Sequence, residues 1–168
     1  MQKLFGVGFF LIAVIVIGYK IAYSFTLRCN FLRSYLKFIK YIENETKYTR
    51  NILYELIKNH ICQDEMSGLV QVFKHNLEEG YSVEKAWRLA VNCIKDRYFL
   101  NSEDCRVIYN FGYNLGKTDL PGQISNCEQA LDLANRQFAE ANEEKNTKSR
   151  LYFILILFLG LSFLLLIL

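Results

Sequence analysis

The chain has 168 residues, 52% of them apolar, a formal net charge of +3 and five cysteines. That length leaves room for one domain of roughly 100 to 150 residues. The small net charge, diluted by neighbouring acids, argues against nucleic acid as a partner, and an odd set of scattered cysteines argues against a disulfide framework. The charge is unevenly placed: two nearly charge-free blocks enclose a highly charged middle.

The first block, residues 4–25, reads LFGVGFFLIAVIVIGYKIAYSF and carries one charge, Lys20. At 1.5 Å per residue it extends ~33 Å, enough for a hydrocarbon core of about 30 Å, which predicts a transmembrane helix. Lys20 lies near its trailing end, where a long stem carries the ammonium to the headgroups, and Tyr19 and Tyr23 flank it as interface aromatics do. The exit, Ala22-Tyr23-Ser24-Phe25-Thr26, has no small-x-small cleavage site, so the segment reads as an anchor rather than a removed leader. The second block, residues 151–168, has no charged side chain and predicts a second transmembrane helix of ~27 Å.

Basic residues gather inside the pair: Arg28, Arg33, Lys37 and Lys40 follow the first span, and Lys145, Lys148 and Arg150 precede the second. Retention of Lys and Arg on the cytoplasmic side places the middle domain, residues 26–148, in the cytoplasm of a multi-pass membrane protein. The reducing compartment suits the unpaired Cys29, Cys62, Cys93, Cys105 and Cys127.

The middle follows the 3.6-residue period throughout and divides into six helices, predicting an all-α, six-helix antiparallel bundle between an N-terminal and a C-terminal transmembrane helix. The first helix continues out of the membrane as a stalk, with Leu27, Phe31, Tyr35, Phe38 and Ile42 forming an apolar stripe beneath a basic face. A second is expected from about Thr49 to Cys62. A third opens at Ser67 as candidate N-cap, carries Leu69, Val70, Phe73 and Leu77, and stops at Gly80. Ser82 caps a fourth, with Val83, Ala86, Trp87, Ala90, Val91 and Ile94 inward. The fifth starts at Ser102 with Glu103 and Asp104 in its first turn and runs through Val107, Ile108, Phe111 and Leu115 to Gly116. Gly112 within it weakens the helix by about 1 kcal/mol relative to Ala, which points to a close neighbour. The sixth begins near Asp119, has Pro121 in its first turn, and continues unbroken to the membrane with Ile124, Cys127, Leu131, Ala134 and Phe138 inward. The polar stretch from Ala139 to Arg150 reads as a solvated stem or a hinge with no core-facing side.

No constellation for catalysis stands out. His60 and Cys62 match no zinc spacing, and His75 stands apart, so no metal is expected. The paired carboxylates fall at helix ends or on polar faces, and no glycine-rich phosphate loop occurs, so no cofactor is expected either. The basic face of Arg28, Arg33, Lys37 and Lys40 has two leading readings, attraction to anionic lipid and a docking surface for an acidic partner.

Two stretches carry a resemblance. The run Leu77-Glu-Glu-Gly80-Tyr-Ser82-Val-Glu-Lys-Ala86-Trp87 resembles a helix junction in the cytoplasmic domain of type II secretion platform (F) proteins. The run from Phe111 to Gln123, with Gly112, Leu115, Gly116, Asp119 and Gln123, is similar to the turn between the last two helices of that domain. One such copy with a span at each end resembles the stage III sporulation protein AB family, over essentially the entire chain. Lys117 stands where the secretion proteins often have an acid, so no ion-binding role transfers. The resemblance implies a non-enzymatic platform or scaffold subunit of the channel complex joining mother cell and forespore, in the mother-cell membrane. It implies as partners a hexameric secretion-type ATPase, stage III sporulation protein AA, and other stage III sporulation membrane subunits. Two helices per chain do not make a conduit alone, which leaves a homo-oligomer open. The competing readings are a membrane-anchored adaptor or sensor and an enzyme using a Cys or His.

Overall fold

A computed structural model of the chain describes residues 2–49, 57 and 64–167. Among these the fold is all-helical, with five helices and no strand: α1, Gln2–Thr49; α2, Ser67–Glu78; α3, Val83–Ile94; α4, Ser102–Tyr113; and α5, Leu120–Ile167. The helix expected from Thr49 to Cys62 lies outside the described residues except for Thr49, which is the last residue of α1, and Ile57, which is helical and fully buried. The chain separates into two compact units, one formed by Asn30–Ala139 and the other by Met1–Cys29 with Glu140–Leu168.

The unit Asn30–Ala139 is organised around Trp87. Its indole is 1% exposed and meets Phe38 of α1, Phe73 of α2 and Phe111 of α4 at centroid distances of 6.4, 5.4 and 5.6 Å. Its Nε1 donates to the Ile108 carbonyl at 2.8 Å, so the one polar atom of the ring is satisfied without leaving the core. Gly112 is the reason the ring can reach that carbonyl. A Cβ there would stand 1.8 Å from Trp87 Cδ1, so α4 presents bare backbone to the face of the indole. The neighbour that a mid-helix glycine calls for is thus Trp87.

Helix ends follow local chemistry. Ser82 caps α3, its hydroxyl accepting from the Lys85 N–H. α4 is closed by a reciprocal capping box between Asn101 and Asp104, so the capping residue is Asn101, one place before the expected start. The expected cap of α2 is corrected: Met66 occupies the N-cap position, and Asp64 accepts the Met66 N–H through Oδ1 and the Ser67 N–H through its carbonyl. Ser67 therefore lies inside the first turn, one place after the cap. α4 ends at Tyr113 rather than Gly116, leaving Leu115 buried in the following turn.

Gly80 ends α2 with φ 85°, and the Tyr81 N–H returns to the Asn76 carbonyl. After α3, Phe99 takes the same role with φ 53°, the Leu100 N–H returning to the Lys95 carbonyl. A phenylalanine in a left-handed position gives no glycine-like signal in the sequence.

The inner side of α5 is more polar than its apolar spacing predicts. Cys127 and Ala134 are buried, but so are Gln123, Asn126 and Gln137, while Ile124, Leu131 and Phe138 are half-buried. Asn126 is satisfied on both sides, its Nδ2 donating to the Phe111 carbonyl at 3.2 Å and its Oδ1 accepting from Asn114, whereas Gln137 Oε1 is buried without a partner among the described residues.

In the other unit, α1 and α5 run antiparallel. Gly160 lets them close, since a Cβ there would meet Val14 Cγ1 at 2.6 Å, and Phe25 stacks on Tyr152 at 6.0 Å. The stretch Ile12–Tyr48 is long and apolar enough to cross a membrane by length and composition. α5 remains helical to Ile167 and exposes Leu151, Leu155, Phe158 and Leu159.

Gly112→Ala is expected to lower stability by about 3 kcal/mol or more, because indole and backbone must separate. Gly80→Ala meets nothing within 4 Å and is expected to cost only the backbone strain of about 1–2 kcal/mol. Thermal unfolding of the detergent-solubilised chain, followed by fluorescence of its single tryptophan, checks the order.

Candidate interaction site

The basic face of α1 arises because a 3.6-residue period that turns Phe31, Tyr35, Phe38 and Ile42 inward turns Arg33, Lys37 and Lys40 outward; all three are exposed. Arg33 is partly fixed, its guanidinium 5.5 Å from the centroid of the Phe138 ring. The face also holds an acid that comes from outside α1. Glu65, just before α2, accepts from the Ser34 hydroxyl at 2.6 Å. That hydrogen bond, joined by its own backbone N–H and by the charges of Lys37 and Arg33, holds its carboxyl below the ordinary 4.5 despite some burial. The Asp64-Glu65 pair reads in sequence as acids of a helix end or polar face, and only the fold brings Glu65 to the cations.

Arg28 does not belong to that exposed set. It is 5% exposed, and its guanidinium pairs with Glu144 and, at 3.7 Å, with Glu140. Lys148 also pairs with Glu144, at 2.6 Å, and that bond together with Arg28 lowers the Glu144 carboxyl. The stretch from Ala139 to Arg150 is therefore not solvated on every side, as its polarity suggests. It is continuous helix with a packed side, Ala141 being 1% exposed and Asn142 accepting from the Cys29 thiol at 3.8 Å. A buried arginine flanked by carboxylates gives a polar helix an inner face that hydropathy does not register.

The turn between α4 and α5 gathers the second set of sequence-marked residues. Gln123 fastens it: its Oε1 accepts from the Gly116 N–H, and its Nε2 donates to the carbonyls of Asn114 and Thr118 and to Thr118 Oγ1 at 2.7 Å. Asp119 caps α5 by accepting the Gly122 N–H, and Gly116 takes φ 72°. Lys117 Nζ lies 3.2 Å from the Tyr113 ring centroid and 3.1 Å from Glu84. Gly112, Leu115, Gly116, Asp119 and Gln123 thus act on backbone shape and packing, whereas Gly80 serves the α2 end.

Among the thiols, burial pushes Cys127 up to about 12, with Glu43 adding, and raises Cys105, with Asp104 adding. Both are protonated near neutral pH, which is unfavourable for a nucleophile. Cys93 and His75 are exposed; His60 and Cys62 lie outside the described residues. Among the described residues no three His, Cys, Asp or Glu side chains are grouped to hold a metal ion.

The profile of the family described as "Stage III sporulation protein AB" matches residues 3–168. The protein named "Stage III sporulation protein AB" in Bacillus subtilis (strain 168) is 27% identical over 158 residues, covering 89% of this chain and 92% of that one. No solved structure matches at a significant level.

A carboxyl that titrates lower folded than unfolded stabilises the fold fully above its unfolded value, and that contribution is lost as pH falls through the folded one. Ser34→Ala is therefore expected to move the Glu65 titration up toward 4.5 and to weaken the acid-side pH dependence of stability. NMR titration of the Glu65 carboxyl together with acid unfolding measures both.

Proposed function

Because the chain belongs to the stage III sporulation protein AB family, matched over residues 3–168, we propose that it is a non-enzymatic membrane scaffold of the sporulation channel complex. In this reading residues 4–25 and 151–168 both cross the mother-cell membrane around the forespore, and the helical unit between them is cytoplasmic. Its counterpart in secretion machinery is the platform protein, and its partners are the secretion-type ATPase, stage III sporulation protein AA, and other stage III membrane subunits.

The observation that supports the scaffold reading best is how the charged residues are used. Arg28, Glu140, Glu144 and Lys148 neutralise one another between α1 and α5, and Gln123 and Asp119 are occupied with the α4–α5 turn. Arg33, Lys37 and Lys40 remain exposed on α1, where cations favour an acidic partner surface through encounter rate and register. The raised thiols of Cys105 and Cys127 speak against a cysteine enzyme built on either. An adaptor or sensor would share the anchored helical unit and differ in its partners.

Deleting the gene is expected to block spore formation after engulfment; normal sporulation without it would sink the scaffold reading. Reversing Arg33, Lys37 and Lys40 together to glutamate is expected to reduce co-purification of the ATPase about tenfold or more, as loss of several interface charges does, while membrane insertion persists. Quantitative pull-down from sporulating cells, with alkaline carbonate extraction alongside, measures the two effects separately.

A further inference from the structure

Three contacts set the register of α1 and α5 in the unit formed by the chain's two ends. Val14 meets Gly160, Phe25 stacks on Tyr152, and Arg28 pairs with Glu144. Lys20 lies five residues before Phe25, ~7.5 Å along α1, and Arg150 lies two residues before Tyr152, ~3 Å along α5. Since the helices are antiparallel, the two cations bracket the Phe25–Tyr152 stack from opposite sides. The four-carbon stem of Lys20 can carry its ammonium most of the way to the level of Arg150. Exposed tyrosines occupy the same band: Tyr19 and Tyr23, stacked at 5.9 Å, and Tyr152.

These two cations differ from Arg28 and Lys148 in having no carboxylate. Both are exposed, and neither has an ion pair among the described residues. Residues 4–25 and 151–168 contain no Asp or Glu, so a second copy of the chain brings no counter-charge from its own apolar segments either. Neither apolar segment therefore offers these cations a counter-charge, and they lie at a level marked by three amphipathic rings and directly adjoining the apolar helix surface. A bilayer supplies phosphate at that level.

We propose that Lys20 and Arg150 bind the phosphate of anionic phospholipids, and that the Phe25–Tyr152 stack marks the depth of the cytoplasmic headgroup layer. This deepens the proposed function and rests on both end segments being membrane spans. The charge network of Arg28 and Glu144 then lies on the aqueous side of that layer, where it holds the register of the pair, while Lys20 and Arg150 hold its depth.

The test uses the full chain reconstituted in phosphatidylcholine vesicles containing spin-labelled phosphatidylglycerol or spin-labelled phosphatidylcholine. The wild type is expected to immobilise phosphatidylglycerol several-fold more strongly than phosphatidylcholine. Lys20→Gln with Arg150→Gln is expected to bring the ratio close to one, and inorganic phosphate is expected not to compete with the lipid. An inserted chain without the preference, or a double variant that keeps it, overturns the lipid site alone. Competition by inorganic phosphate would show a free-anion site instead and overturn it too. A wild-type chain that alkaline carbonate strips from the vesicles overturns the span reading on which the proposal rests.

Discussion

The unit Asn30–Ala139 depends on one close approach, the indole of Trp87 against the bare backbone of Gly112. A tryptophan is large enough to touch three helices at once but carries an N–H that must be paired when buried. Here the N–H is paired with a backbone carbonyl one turn before Gly112, which is accessible only because residue 112 has no Cβ. The hydrogen bond and the ring contacts with Phe38, Phe73 and Phe111 therefore require the same glycine. The helix-propensity cost of Gly112 is offset by packing that no other residue permits.

Around this centre, polar side chains finish what the helices leave open. Asn101 and Asp104 close the start of α4, Asp119 closes the start of α5, and Gln123 and Asn126 satisfy groups at and before the α4–α5 turn. Short helices need such devices because each end leaves several backbone groups without an intrahelical partner. Residues that stand out as a sequence signature are accounted for by these backbone duties, so a signature of this kind identifies a fold more directly than it identifies a binding surface.

The charges divide by environment. Between α1 and α5, Arg28 is shielded from water and flanked by Glu140 and Glu144, so removing either acid would leave an arginine under-compensated. On the outer side of α1, Arg33, Lys37 and Lys40 remain in water, where their mutual repulsion is screened and Glu65 moderates it locally. Arginines of one helix thus stand in a buried ion pair and on an exposed face at positions only five residues apart.

By itself the sequence determined the helical class, the apolar stripe of α1, the inward faces of α3 and α4, the Ser82 cap, the Gly80 stop and the unbroken run of α5 from its first turn. All of these follow from spacing and end chemistry within a few residues, and such information is local. Only the tertiary structure decided that Arg28 is buried, that the polar stretch from Ala139 to Arg150 has a packed side, that Glu65 joins the cations of α1, and that Phe99 takes a left-handed turn. The first three depend on which distant side chain arrives opposite a given charge, and the last on whether a helix end must turn where the chain offers no glycine. The 3.6-residue period shows which residues share a face, but the charge that meets that face is set by the packing of another helix.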